Sequence, residues 1–467
     1  MIFNKAHKLR QVDWGVPFGV ASIIFSSFVF LLLVCMQQWL IAGLLVAGVC
    51  IILLSYICIN KPEAFLIVSL FCSIIPFRLG LSLSHWIILS AYPIFVIYHI
   101  AKRSFAFRFD ITSIAWIILI LLGLVTIGKW HDYKMGVKCL IHLAIVPFIV
   151  YSYVNHSVLS VTTIRKVILS GVTSLSVFLV IASMIAIVME ITSGVSVNTN
   201  NIMSLHSLMV LNTPSNRLAG LLVFLSVFIF TAILPLTMNH AKRVFYYLLV
   251  IFALLISMLI VSRGAFVALA AAVGVYIGGQ FIFNKKLRLL PILISVPLVL
   301  LMIKPFIDMV VFRMSIMQVD QASIVRQIVW WDASQQILRN ILVGSGPGQY
   351  QYNVFYLKTY DPHNIFLRYG VEFGASGAFI LFFILFYQIK RLFALMKYNP
   401  GDFGIIFMMF MPAIAAAFIH SQIDIIITSE GYGLIFWIVW ALMVRMISDI
   451  KKGDKPSVSQ YSKSVPA

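Results

Sequence analysis

The sequence predicts an all-α polytopic membrane protein of roughly 12 to 14 transmembrane helices, counted at about 20 apolar residues per span. It also predicts one long loop with short helices on one side. Three observations lead there. Of 467 residues 61% are hydrophobic and 10% charged, with mean hydropathy +1.02, whereas soluble domains carry about 25% charged residues. Apolar runs of spanning length follow one another along the chain. The breaks between them alternate in Lys and Arg content, as cytoplasmic and outer loops do. No long polar domain interrupts the series, so residues 1–467 are expected to form a single membrane domain.

In chain order the apolar segments lie near 16–35, 39–59, 64–78, 86–101, 111–128, 138–153, 167–189, 218–238, 244–261, 265–283, 289–303, 363–389, 403–419 and 431–447. The first is long and lacks a small-residue cleavage site, so it is expected to remain as a span rather than be removed as a signal peptide. The third and fourth are short. If they are re-entrant, the total falls to the lower figure and every other segment keeps its orientation. With the N-terminus inside, the breaks KAHKLR, NKPE, KRSFAFR, TIRK, NHAKR, NKKLR, KRLFALMK and the tail hold 22 of the 34 Lys and Arg, leaving 12 outside. Both termini are therefore expected in the cytoplasm. The net charge of +19 is then mainly a topology signal, with attraction to anionic membrane lipid. Its scatter over many loops argues against nucleic acid. The five cysteines, Cys35, Cys50, Cys58, Cys72 and Cys139, sit in or beside apolar runs and form neither a disulfide framework nor a metal-binding spacing.

The outer side holds the unusual material: a long loop over 304–362 and a shorter one over 192–217. Within the long loop a helix is expected from Ser323, its cap, to Arg339, with Ile324, Ile328 and Trp331 on an apolar stripe. GSGPGQY, 344–350, is too glycine-rich to be helical and reads as a turn that positions the aromatic run beyond it. It lacks the Lys-Ser/Thr ending of a P-loop. In DPHNIFLRYGVEFG, 361–374, Asp361 fits an N-cap, Pro362 the first helical position and His363 the first turn of the next span. Eleven residues separate His363 from Gly374, which at about 100° each brings both to one helix face. Gly370, Gly374 and Gly377 then read as a packing stripe. Glu372 falls in the membrane zone and is expected to pair with Arg368, one turn earlier.

By the same parity, Arg217 in NTPSNRLAG and Arg263 in VSRGAF share the outer face with His363. Singly, each has an ordinary explanation: snorkelling, a tight turn, an interfacial histidine. Together, two guanidiniums and an imidazole suit an anionic lipid head group, because Arg grips phosphate bidentately and stays charged. Asp308, Asp320, Asp332 and Asp361 are spaced singly, so no acidic cluster of the kind Mg²⁺ wants is evident and no metal or cofactor is expected.

The succession NTPSNRLAG, SRGAF, RQIVWWDASQQILRNILVGSGPGQY and DPHNIFLRYGVEFGASG resembles the O-antigen ligase and O-antigen polymerase superfamily, over about Asn212 to Phe379. The family pattern of Arg, three residues, Leu reads as Arg217 to Leu221, and that of His, ten residues, Gly as His363 to Gly374. The resemblance implies a GT-C-like fold and a metal-independent, inverting glycosyltransferase. It would work at the periplasmic face of a bacterial inner membrane on an undecaprenyl-pyrophosphate-linked oligosaccharide donor. The acceptor would be a second repeat unit in a polymerase, the reading preferred on the long aromatic loop, or the lipid A core in a ligase. A chain-length regulator is a candidate protein partner. Arg217 and Arg263 would hold the pyrophosphate and His363 would act on the acceptor hydroxyl. Arg326, Trp330, Tyr350 and Asp361 would contact substrate. The competing class is a lipid-linked oligosaccharide transporter, which internal repeats and ionisable residues near mid-membrane would favour; no convincing repeat is present, and the polar residues gather at one face.

Overall fold

The computed structural model describes residues 50, 52–75, 81–102, 110–157, 161–192, 215–237, 239–260, 262–283, 321–352, 362–424, 427–429 and 432–451. The expected spans at 16–35 and 289–303, most of 39–59, loop residues 304–320, and Asp361 lie outside them.

Among the described residues, nine helices are long and apolar enough to cross a membrane. They are α2 Leu83–Ala101, α4 Tyr133–His156, α5 Val167–Met189, α6 Asn216–Leu236, α7 His240–Leu259, α8 Arg263–Phe283, α10 Ile365–Tyr398, α11 Pro400–His420 and α12 Tyr432–Ile450. Two shorter apolar helices, α1 Pro62–Cys72 and α3 Ile111–Val125, and the loop helix α9 Gln321–Arg339 accompany them. The chain is thus an all-α polytopic membrane protein. Capping follows sequence in several places: Asp110 accepts from the Ser113 amide to start α3, and Asn239 from the Lys242 amide to start α7.

Helices that are apolar on all sides divide into those facing lipid and those enclosed by other helices. Helix α6 is enclosed, with Leu218, Leu221, Leu222, Phe224 and Phe228 all buried, and it packs on α7, α8 and α11. Helix α12 packs on α4 and is buried along nearly its whole length. By contrast α5, α7 and α8 leave residues such as Ile181, Leu255 and Phe281 exposed, as a lipid-facing surface requires. Charges inside this bundle are matched: Arg368 Nε meets Glu372 Oε1 at 3.2 Å, the pairing expected from their spacing, and donates from Nη1 to the Thr428 carbonyl at 3.1 Å.

Two sequence-based boundaries move. Helix α9 starts at Gln321, so Ser323 lies inside its first turn rather than at its cap. Helix α10 starts at Ile365, with Asn364 as its cap accepting from the Phe366 and Leu367 amides. Pro362 and His363 therefore precede the helix, and Asn364 takes the capping place expected three residues earlier. The shared-face reading of His363 and Gly374 also fails, because Gly374 has φ 81° and ψ 172° and breaks the helix.

That break is filled by the glycine-rich loop. A helix opened at Gly374 leaves main-chain groups of the flanking turns without helical partners, and in a buried place they need others. The Ala375 amide donates to the Ile341 carbonyl, while Val371 and Glu372 carbonyls accept from the Ser345 and Gly346 amides. Contact is so close that a Cβ on Gly374 would stand 2.6 Å from the Ile341 oxygen, and one on Gly344 2.5 Å from the Gly374 nitrogen. Gly344, Gly346 and Gly348 all have positive φ, which explains why the turn is built of glycine.

Candidate active site

One end of the bundle gathers the starts of α6, α8 and α10 and the turn after α11. Asn364 ties two of these together: besides capping α10, it donates from Nδ2 to the Gln422 side-chain and main-chain oxygens, and the Ile365 amide donates to the Ser421 carbonyl. On its other flank Trp330 of α9 donates from Nε1 to the Pro362 carbonyl at 2.9 Å. His363, held between these two anchors, takes φ 51°, a left-handed conformation for which His is among the more tolerant residues.

The anchored turn brings Asp424 against His363. Its Oδ1 lies 3.5 Å from His363 Nδ1 and 3.8 Å from Arg217 Nε. Asp424 is buried, whereas the His363 side chain is one-third exposed. Burial alone would raise the Asp424 carboxyl, but the His363 ring, the Arg217 guanidinium and His420 together outweigh it and hold it at about 2. It is therefore a carboxylate at neutral pH. The turn is braced from below, where the buried His420 ring contacts the Asp424 carbonyl from Nδ1 at 3.0 Å and the Asp424 amide donates to the His420 carbonyl.

Arg263 opens α8 at this same end. Its neighbour Gly264 packs on His420, with a Cβ there 3.2 Å from Nε2, so a larger residue would push α8 off the braced turn. The charges of Arg326 and Arg217 both act on His420, which puts α9 in the same electrostatic neighbourhood.

A cavity of about 290 Å³ opens beside Arg217, lined also by Lys138 and His142 of α4, Arg368 of α10, Gln351, and Thr428 and Ser429. The glycine-rich loop reaches its rim. Gln349 accepts from the His131 and Asp132 amides and donates to the Asp132 carbonyl, and Gly348 lies on α4, where a Cβ would meet Met135 at 2.8 Å. Cations thus stand on the cavity wall, and Arg217 links that wall to the Asp424–His363 pair.

Residues 245–382 match the O-antigen ligase family. The match covers under a third of the chain and supports the resemblance of its motifs to the O-antigen ligase and polymerase superfamily. No curated protein matches the chain. The O-antigen ligase match takes in Arg263, Arg326, Trp330, Tyr350, Asp361 and His363, and begins after Arg217.

Of the residues expected from sequence, Arg217 and His363 meet through Asp424, and Arg263 opens the helix packed beneath that turn. Trp330 is an anchor for the His363 segment through its indole N–H. Tyr350 is fully buried among Val329, Ala333 and Val371, and its hydroxyl donates to the Val329 carbonyl at 3.2 Å. It offers no face on which a sugar could stack, and its role is to seat the glycine-rich loop on α9. Sequence reasoning missed Asp424 as the partner of His363 and Arg217, and Lys138 and His142 as lining of the cavity. The signal for Asp424 was a lone carboxylate in SQIDIIIT, between two spans, which needs a partner when buried.

Proposed function

We propose that the chain is an inner-membrane glycosyltransferase that takes a glycan from an undecaprenyl-pyrophosphate-linked donor at the periplasmic face and polymerises repeat units of O-antigen, capsule or exopolysaccharide. The observation that carries this reading is the Asp424–His363–Arg217 cluster on the rim of a cationic cavity, within a chain that carries the O-antigen ligase match.

Glycosyl transfer needs a base for the acceptor hydroxyl and positive charge for the leaving group. With Nδ1 turned to the Asp424 carboxylate, the His363 proton sits on that nitrogen and the Nε2 lone pair is presented to substrate. The acceptor O–H gives its proton to Nε2, its oxygen bonds to the anomeric carbon, and the carbon–oxygen bond to the pyrophosphate breaks with its electron pair leaving on phosphate. Asp424 stabilises the imidazolium that results. Arg217 and Arg263 hold the departing pyrophosphate, and a single displacement of this kind inverts the anomeric centre. Fixed guanidiniums supply the charge neutralisation, so the mechanism is metal-independent.

The description of the matched family as an O-antigen ligase favours a second reading, transfer to the lipid A core. Both are tested by a surface-glycan gel with lipid-linked intermediates extracted in parallel, from the native host carrying His363→Ala at normal protein level. Lost polymer with single lipid-linked units accumulating, or single units on the core, identifies a polymerase. Long lipid-linked chains above a bare core identify a ligase. Unchanged glycans overturn both.

A further inference from the structure

We propose that helix α9 and the residues that follow it, which the sequence places in the outer loop, lie in the outer leaflet of the bilayer, with an apolar stripe from Ile324 to Leu342 facing the acyl chains.

Helix α9 has two apolar faces. One packs on the protein: Val329 and Ala333 are buried with Tyr350 and Val371, and Ile337 and Leu367 lie against them. The other carries the stripe expected from sequence. Ile324, Trp331 and Leu338 recur every seven residues, a spacing that drifts only about 20° per step on a straight helix. All three are exposed, Leu338 by 62%. Ile341 and Leu342 prolong the stripe past the end of the helix, with Leu342 74% exposed. A row of five exposed large apolar side chains marks a contact surface.

The depth of this segment identifies the contact as lipid. Lys390 is the first charged residue of α10 after Glu372, and counting back about 20 residues from it, the length that hydrocarbon requires, reaches Gly370. The residues after α9 are fixed below that level. The Ala375 amide donates to the Ile341 carbonyl at 2.7 Å, and the Ser376 hydroxyl donates to the Leu342 carbonyl. The stripe therefore leads on to Phe379 and Phe382, which are exposed on the spanning part of α10.

Main-chain pairing points the same way. Hydrocarbon tolerates irregular backbone only where protein satisfies its polar groups. Although the side chains of Ile341 and Leu342 are exposed, both carbonyls are taken by α10, and the Asn340 carbonyl accepts from the Gly344 amide. Trp331 belongs to a residue type enriched at the membrane interface, and Arg339, next to Leu338, is long enough to reach the head groups. Because Trp330 of the same helix donates to the Pro362 carbonyl, a leaflet that seats α9 also sets the level of the His363 turn.

The full, unsubstituted chain in phosphatidylcholine nanodiscs is labelled in parallel with a lipophilic diazirine, which yields a carbene in the hydrocarbon, and with hydroxyl radicals made in the water. Adducts are mapped by site-resolved mass spectrometry and normalised to the chain denatured in dodecyl sulfate. Tyr352, exposed and bonded through its hydroxyl to Asp132 at the start of α4, is the aqueous reference, and Leu255, exposed on α7, is the lipid reference. Trp331, Leu338 and Leu342 are expected to show a carbene-to-hydroxyl adduct ratio at least about tenfold above Tyr352, as for a probe that gains two methylenes' worth of transfer free energy in hydrocarbon. A ratio at these positions equal to that of Tyr352 overturns the proposal and assigns the stripe to water. Protection of all three from both reagents, with the two references labelled, also overturns it, because a protein surface then covers the stripe.

Discussion

Replacing Asp424 by Asn keeps the shape of the side chain and removes the charge that His363 and Arg217 share. At 3.8 Å and an effective dielectric of ~20, the contact with the Arg217 guanidinium is worth about 4 kcal/mol before the cost of burying the charges is subtracted, whereas the 3.5 Å contact with His363 is a charge–charge contact only when the ring is protonated. The net is smaller. The fall of the carboxyl from 3.8 to about 2 corresponds to roughly 2 kcal/mol in favour of the ionised form. Because the folded value is the lower one, this stabilisation is fully present above about pH 4 and is lost as pH drops through about 2. At neutral pH the variant therefore loses both that stabilisation and the group that keeps the His363 proton on Nδ1. We expect Asp424→Asn to fold, with stability lowered by about 2 kcal/mol, and to slow transfer about 10²- to 10⁴-fold, the usual range for a disabled general base. The assay is release of undecaprenyl pyrophosphate from a purified lipid-linked donor at saturating concentration, run from pH 5 to 9. The acidic limb of the rate profile reports the His363 base. Since the carboxylate favours the imidazolium, its removal should shift that limb towards lower pH. A folded variant with more than about one-third of wild-type turnover and an unshifted profile refutes the pairing.

Further substitutions probe the scaffold. Asn364→Ala removes the cap of α10 and its link to Gln422 and should lower stability by about 1–2 kcal/mol in thermal unfolding, with a loss of transfer because His363 is no longer fixed. Gly374→Ala forces a Cβ into the Ile341 carbonyl at a φ of 81° and should cost about 3 kcal/mol or more, whereas Gly128→Ala, with nothing within 4 Å of the added carbon, should be close to neutral; equal thermal shifts contradict the helix break. Arg368→Ala strands the fully buried Glu372 and should cost about 3–5 kcal/mol, and Arg368→Met combined with Glu372→Gln should recover part of it; a double variant no better than the single shows that the pair is not the source of the loss.

The membrane architecture was legible because hydrocarbon imposes the same demand on every span, and each apolar segment that falls among the described residues has a helix at its place. The Arg368–Glu372 pair was legible for a local reason, since four residues on a helix fix the distance. Boundaries and the site depended on contacts distant in sequence. Asp361 and Asn364 are both competent caps, and Pro362 pulled the expected start towards Asp361; Gln422 and the Trp330 indole settle it at Asn364. Gly374 looked like a member of a packing stripe, and its φ is positive only because residues 341–346 fill the opening. Asp424 belongs to no motif, and its meaning comes from a turn pinned 58 residues away in sequence at Asn364. Lys138 and His142 lie on a segment that read only as another apolar run.

The most direct test of the central claim is a reconstituted assay of His363→Ala with a lipid-linked donor, measuring donor binding and transfer on the same protein. Retained donor affinity with transfer reduced about 10²-fold or more is the expected result for a general base. Unimpaired transfer by a folded, donor-binding His363→Ala protein contradicts the assignment of His363 and with it the chemistry built on the Asp424 pair.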